Sequence, residues 1–158
     1  MPIATLGKKV PAFKVPATGN TPLTHQDLRA QLSILYFYPK DNTPGCTQEG
    51  HDFRDHHAAF KKLGAAIYGV SRDTLTSHEK FKIKHAFPFE LIADSEETLC
   101  VLFDVIQMKN LYGKKVLGIE RSTFLIDQEG VLQQAWRKVK VKGHVEEVLA
   151  AVKTFNRA

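Results

Sequence analysis

Residues 32 to 51 read LSILYFYPKDNTPGCTQEGH, and this stretch decides the fold. Leu32 to Tyr38 is nearly continuous in apolar and β-forming residues, the pattern of a strand covered on both faces, as in a parallel sheet. A polar loop ends in Pro44 and Gly45, and a helix is expected to begin at about Cys46. The helical reading covers Thr47 to Leu63 and stops at Gly64, a natural C-cap. At about 100° per residue, Cys46, Gly50, Phe53, His57 and Phe60 share one stripe. Because that stripe carries the large apolar residues, it should face the sheet. Cys46 then points to the C-terminal end of the preceding strand, where α/β folds commonly build their sites. His51 lies roughly 140° around the helix from Cys46 and is expected to face away from it.

Working outward, Ala65 to Val70 and Ser122 to Ile126 read as further buried strands, and Phe89 to Ala93 as a weaker one. Val131 to Val141 looks extended, with Val139 and Val141 alternating against Lys138, Lys140 and Lys142 as on a half-exposed edge. Helical patterns lie between. Thr76 to His85 is short and stops before Pro88. Thr98 to Ile106 carries Leu99, Leu102, Phe103 and Ile106 on one stripe, with Ser95 as N-cap. His144 to Phe155 places Val145, Val148, Leu149, Val152 and Phe155 on one face. This alternation predicts an α/β architecture, a mixed sheet flanked by helices on both faces, in one domain over residues 1–158.

Composition excludes several function classes. No apolar run approaches the roughly 20 residues that span a bilayer, so no membrane role is expected. The opening MPIATLGKKVPAFKV has neither an apolar signal region nor a cleavage pattern, which points to the cytoplasm. The net charge is +5, with basic residues gathered in MKNLYGKK and WRKVKVKGH. No stacking aromatics or known module accompany them, so no nucleic-acid partner is expected. Two cysteines cannot form a disulfide framework.

The thiolate is the reactive form of cysteine, and a helix N-terminus favours the anion through its unpaired N–H groups and the positive end of the macrodipole. Cys46 therefore sits where a reactive cysteine would; the competing reading is a small buried hydrophobe. His51, His56 and His57 follow at five, ten and eleven residues. This matches no structural-zinc spacing, so half-buried histidines rather than metal ligands are expected.

The segment YFYPKDNTPGCTQEGHDFRD resembles the active-site segment of peroxiredoxins. It is most similar to the peroxiredoxin Q branch, also called bacterioferritin comigratory protein. The family pattern Pro-x-x-x-Thr-x-x-Cys falls on Pro39, Thr43 and Cys46. GIERSTFLID resembles the segment bearing the family's arginine, here Arg121, and WRKVKVKGHVEEVLA resembles the branch's C-terminal segment. The resemblance implies a thioredoxin-like fold and a cysteine-based peroxidase that needs no metal, haem or flavin. Pro39 would shield the sulfur, and the Thr43 hydroxyl would hydrogen-bond the thiolate and the peroxide. Arg121 would favour the thiolate and hold the peroxide oxygens, with the Cys46 N–H donating to the same oxygens. Glu49 would orient this network. Hydrogen peroxide or an alkyl hydroperoxide would convert Cys46 to a sulfenic acid.

The chain departs from this branch at the second thiol. Many members carry a resolving cysteine five residues after the first, where this chain has His51. Others place it in the next helix, around residues 80 to 85, where KFKIKH has none. Cys100 sits roughly 110° from the centre of its helical stripe, and is read as a packing residue with a lesser claim to a resolving role. A one-Cys cycle is therefore expected, with an external thiol as reductant: thioredoxin, or glutathione with glutaredoxin. The alternatives are a two-Cys cycle through Cys100 and a redox-sensing thiol without turnover. General thiol–disulfide exchange is disfavoured because Glu49 stands where Cys-x-x-Cys needs its second cysteine. A monomer or weak homodimer is expected.

Overall fold

The structure is a computed structural model that describes residues 3–157. A small hairpin of β1 (Lys14–Val15) and β2 (Leu23–Thr24) precedes β3 (Leu32–Phe37), in which every side chain is buried. Then come α1 (Pro44–Asp55), α2 (His57–Lys62), β4 (Ala65–Ser71), α3 (Leu75–His85), β5 (Glu90–Ala93) and α4 (Thr98–Leu102). A second hairpin, β6 (Ile106–Leu111) and β7 (Lys114–Ile119), leads to β8 (Ser122–Ile126), β9 (Leu132–Trp136) and α5 (His144–Arg157). The main sheet runs β5-β4-β3-β8-β9. Its β3–β4 and β4–β5 pairs are parallel, while β3–β8 and β8–β9 are antiparallel. This is the expected mixed sheet of an α/β fold.

The strand period of two sorts β3 into two cores. Leu32, Ile34, Tyr36 and Tyr38 join Phe53, Phe60, Phe81, Val145 and Val148 beneath the first three helices and α5. Leu35 and Phe37 face the other way, toward Phe13, Leu28, Leu99, Cys100 and Phe124. In the first core Tyr36 stacks on Phe53 with centroids 4.5 Å apart. Such aromatic pairs add about 0.5–1.5 kcal/mol beyond their burial, and this one seats α1 on the central strand.

Several boundaries differ from the sequence reading. The helix expected over Thr47 to Leu63 begins earlier, at Pro44, and breaks at His56. There φ is −100° and ψ 2°, and the ring Nδ1 lies 2.8 Å from the Asp52 carbonyl. A side chain competing for an i−4 carbonyl interrupts the helical ladder. Gly64 does follow the second helix, at φ +75°. The helix expected to Ile106 stops at Leu102, and Ile106 instead opens β6. Glu97, not Ser95, takes its N-cap position, and the Asp94 carboxylate accepts from the Leu99 and Cys100 N–H groups at 3.0 and 2.8 Å. The β6–β7 hairpin was not expected, because its residues do not alternate cleanly. Its turn places Tyr112 and Gly113 at φ +52° and +80°, the signature of a primed hairpin turn. Of Val131 to Val141 only Leu132–Trp136 pairs as a strand. Beyond it the Val139 N–H donates to the Arg121 carbonyl at 3.0 Å. No helix among the described residues is long and apolar enough to cross a membrane.

Candidate active site

The loop after β3 delivers Cys46 to the sheet. Thr43 is the N-cap of α1 with extended dihedrals, and Pro44 follows at the first helical position, where its missing N–H costs nothing. The first helical bond runs from the Thr47 N–H to the Thr43 carbonyl at 2.9 Å. The Gly45 and Cys46 N–H groups, in the first turn, thus have no partner within the helix. Cys46 is 1% exposed, so its sulfur is nearly sealed beneath this turn.

Arg121 reaches the sulfur from the other side of the fold. It lies just before β8, the antiparallel neighbour of β3, and that pairing brings the two chain segments together. Its fork has two partners: Nη2 donates to Cys46 Sγ at 3.5 Å, and Nη1 donates to Glu49 Oε1 at 2.7 Å. Its side chain is 16% exposed and that of Glu49 fully buried. Glu49 is one helical turn from Cys46, so both face Arg121. The second Glu49 oxygen, Oε2, has no hydrogen-bond partner. Burial therefore pushes the Glu49 carboxyl up to about 7, against the opposing pull of Arg121. Arg121 is in turn held more firmly protonated by Glu49 and Cys46, against its own burial. Gly45 leaves room for this geometry, since a Cβ there would stand 3.2 Å from Arg121 Nη2.

Of the residues singled out in the sequence, Cys46, Glu49 and Arg121 meet directly. Pro39 is half-buried at the end of β3, in the loop that carries Cys46. Thr43 differs from expectation: its hydroxyl donates to the Lys40 carbonyl at 2.9 Å and not to the sulfur. Cys100 lies fully buried in the core on the opposite face of the sheet from Cys46. Burial and the nearby Asp94 carboxylate push its thiol far up, so it stays protonated. Both cysteines are free thiols.

His51 faces away from Cys46 as expected, but not into open solvent. Its Nε2 lies 2.8 Å from Nδ1 of His85 on α3, and its ring sits edge-on to Phe87. One group of three potential metal ligands exists among the described residues: Asp41, Asp73 and His78. Its atoms are already engaged. His78 faces Asp41 at 2.8 Å and the Ile92 carbonyl at 2.9 Å; Asp73 accepts from the Asp41 N–H and Ser71 hydroxyl at 2.9 and 2.5 Å. The group thus braces the loop ahead of Cys46 against β4 and α3.

Two further residues of the site escaped the sequence reading. His144, at the start of α5, is buried with Nε2 2.7 Å from the Thr123 hydroxyl. Burial, reinforced by the Arg121 charge, pushes it down to about 4. Lys109, on β6, lies within Coulombic reach of both Arg121 and Cys46. Its placement depends on a hairpin with no clear strand signal, although its position in a basic run was visible.

A buried thiol under a helix N-terminus, held by a guanidinium that a buried carboxylate orients, defines a cysteine-dependent enzyme site on a mixed α/β sheet. Residues 6–135 match the family model described as the AhpC/TSA family. The chain belongs to that family and is a peroxiredoxin, a thiol-dependent peroxidase. It is similar to peroxiredoxin Bcp of Xanthomonas campestris, with 52% identity over 152 residues, 95% of each chain. It is 49% identical over 151 residues to peroxiredoxin Bcp of Bacillus subtilis, covering 96% of each. A solved structure of Xanthomonas campestris peroxiredoxin Q superposes with a TM-score of 0.87 at 52% identity, over 91% of both chains. Another, of the bacterioferritin comigratory protein from that organism, superposes equally well at 51% identity, over 91% of this chain and 92% of that one; its description concerns alkyl peroxide reduction. The thioredoxin-like fold of these relatives is the fold of this chain.

Proposed function

We propose that Cys46 is the peroxidatic thiol and that the chain reduces hydrogen peroxide and organic hydroperoxides in a one-Cys cycle. The observation that carries this is the 3.5 Å contact between Arg121 Nη2 and Cys46 Sγ at the first turn of a helix. A guanidinium and the unpaired N–H groups both favour a thiolate there, and the same donors can receive the oxygens of a bound peroxide. The Thr43 hydrogen is engaged by the Lys40 carbonyl, which leaves its oxygen free to accept the hydroperoxide O–H. Pro39 covers the site at the strand end, and Glu49 fixes the Arg121 fork.

The thiolate attacks the outer peroxide oxygen. The S–O bond forms, the O–O bond breaks, and its electron pair departs on the inner oxygen, which takes a proton to become water or alcohol. Sulfur is oxidised by two electrons to a sulfenic acid. Two equivalents of an external thiol, glutathione with glutaredoxin or the dithiol of thioredoxin, return Cys46 to the thiol and release water and a disulfide. His51 at the family's usual resolving position, the absence of a cysteine on α3, and Cys100 across the sheet all support this cycle. A free-thiol pair also suits the cytoplasm.

The test is peroxide consumption with dithiothreitol by wild type, Cys46→Ser and Cys100→Ser. Cys46→Ser is expected to lose turnover and Cys100→Ser to keep it. After peroxide alone, wild type should gain the mass of one or two oxygens. A loss of two hydrogens in the monomer would instead establish an internal disulfide and end the one-Cys reading.

A further inference from the structure

The basic run MKNLYGKK, which the peroxide chemistry leaves unused, forms most of the β6–β7 hairpin. This ribbon pairs with no other strand among the described residues. Its base is anchored: Ile119 is fully buried in the core that holds Phe103 and Phe124, and Ile106 packs against that core. Its far end is bare. Every residue from 110 to 117 is exposed, and so is Met108. Met108, Leu111 and Leu117 are 61%, 51% and 62% exposed, and Tyr112 at the turn is 103% exposed. The register sets Met108 opposite Leu117 on one face, and Lys109 opposite Val116 and Leu111 opposite Lys114 on the other. Apolar side chains thus stand out from both faces and from the tip at once. From residue 105 to 119 the chain has three lysines and no acid. The turn itself does not ask for Tyr112, whose φ of +52° suits glycine or asparagine better, and its side chain packs on nothing in the fold.

A rigid partner covers one face of a ribbon. Covering both faces and the tip together takes a medium that closes around them, and the lysines require that medium to be anionic. The headgroup layer of an anionic membrane meets both conditions. Tyrosine rings favour that interface, and lysines beside it gain from its negative surface potential. We propose that the tip of the β6–β7 hairpin docks the protein on an anionic lipid surface, with Leu111 and Tyr112 entering the headgroup layer and Lys114 and Lys115 meeting the lipid charge. Such docking needs no membrane-spanning segment, and it is independent of the chemistry at Cys46. The other basic run differs: Lys138, Lys140 and Lys142 are exposed, but Val139 and Val141 between them are half-buried, so it offers charge without an apolar tip.

Co-sedimentation with vesicles of phosphatidylcholine, alone or mixed equally with phosphatidylglycerol, measures the docking. Wild type should pellet with the anionic vesicles, stay in solution with the neutral ones, and detach as salt is raised. Lys114→Gln combined with Lys115→Gln should weaken partitioning by about 30-fold, at about fivefold for each lysine near the surface. Leu111→Ser combined with Tyr112→Ser should weaken it by about tenfold or more with the charge unchanged. Lys138→Gln combined with Lys140→Gln removes the same charge from the other run and should leave partitioning within about twofold of wild type. All six positions are exposed, so these variants fold as wild type does. Failure of wild type to bind the anionic vesicles overturns the proposal, as does equal binding to both kinds. An equal loss in the two lysine pairs overturns it too, since net charge alone would then be at work. A dimer in gel filtration that Leu111→Ser with Tyr112→Ser abolishes, without any vesicle binding by wild type, would assign the tip to a second copy of the chain instead.

Discussion

Arg121 contributes geometry as well as charge. Its two terminal nitrogens serve Glu49 and Cys46 at once, at 2.7 and 3.5 Å, which only a planar fork can do. Arg121→Lys keeps the charge and loses one of the two contacts. It should slow Cys46 oxidation by about 100- to 1000-fold, the range for loss of one preorganised donor, followed by stopped-flow fluorescence after mixing with peroxide. A rate within twofold of wild type would show that charge alone suffices. The sequence already indicated Cys46 and Arg121, one from its place behind Pro44–Gly45 and the other from family resemblance. It did not show that the Thr43 hydroxyl turns to the Lys40 carbonyl, because a threonine's rotamer depends on the loop carbonyls around it.

At the scale of the element, α1 is held where Cys46 needs it by unusually close packing. Gly50 lies one turn beyond Cys46, and a Cβ there would stand 2.4 Å from Cζ and 2.9 Å from Cε1 of Phe87. That ring is itself stacked on Phe89, with centroids 5.2 Å apart, so it has little freedom to withdraw. Gly50→Ala should gain about 1 kcal/mol of helix propensity but lose about 1–3 kcal/mol to overpacking. A net loss of stability in urea denaturation is expected; a more stable variant would show that the ring gives way. The stripe of Cys46, Gly50, Phe53 and Phe60 was legible because helical periodicity records which face is buried. The break at His56 was not, since it arises from one ring competing for one carbonyl. The β6–β7 hairpin was equally hidden: Leu111, Tyr112 and Leu117 are exposed, so its apolar residues mark no buried face.

Across the whole molecule, two buried titratable groups behind the thiol act in opposite directions on stability. Glu49 titrates at about 7 against an ordinary 4.5. Between those values the folded chain holds the extra proton, and stability falls as pH rises. His144 titrates at about 4 against an ordinary 6.5. Between those values the unfolded chain holds the extra proton, and stability rises with pH. The two slopes oppose each other where the intervals overlap. Relative to wild type, Glu49→Gln should therefore gain stability as pH is raised from about 4.5 to about 7. His144→Asn should gain relative stability as pH is lowered from about 6.5 to about 4. Urea midpoints across this range measure both differences, and a difference that stays flat with pH would contradict the corresponding assignment.

The sequence by itself determined the α/β class, the strand-loop-helix unit around Cys46 and the position of that thiol in the first turn of a helix. Periodicity, Pro and Gly are local signals, and these features are decided locally. Tertiary structure decided what surrounds the sulfur. The antiparallel pairing of β3 with β8 brings Arg121 within 3.5 Å of a residue 75 positions away. The start of α5 places His144, buried against the Thr123 hydroxyl, within reach of the Arg121 charge. The same sheet puts Cys100 in the opposite core. Which residues meet across a sheet depends on strand order and crossovers, and no local periodicity encodes those.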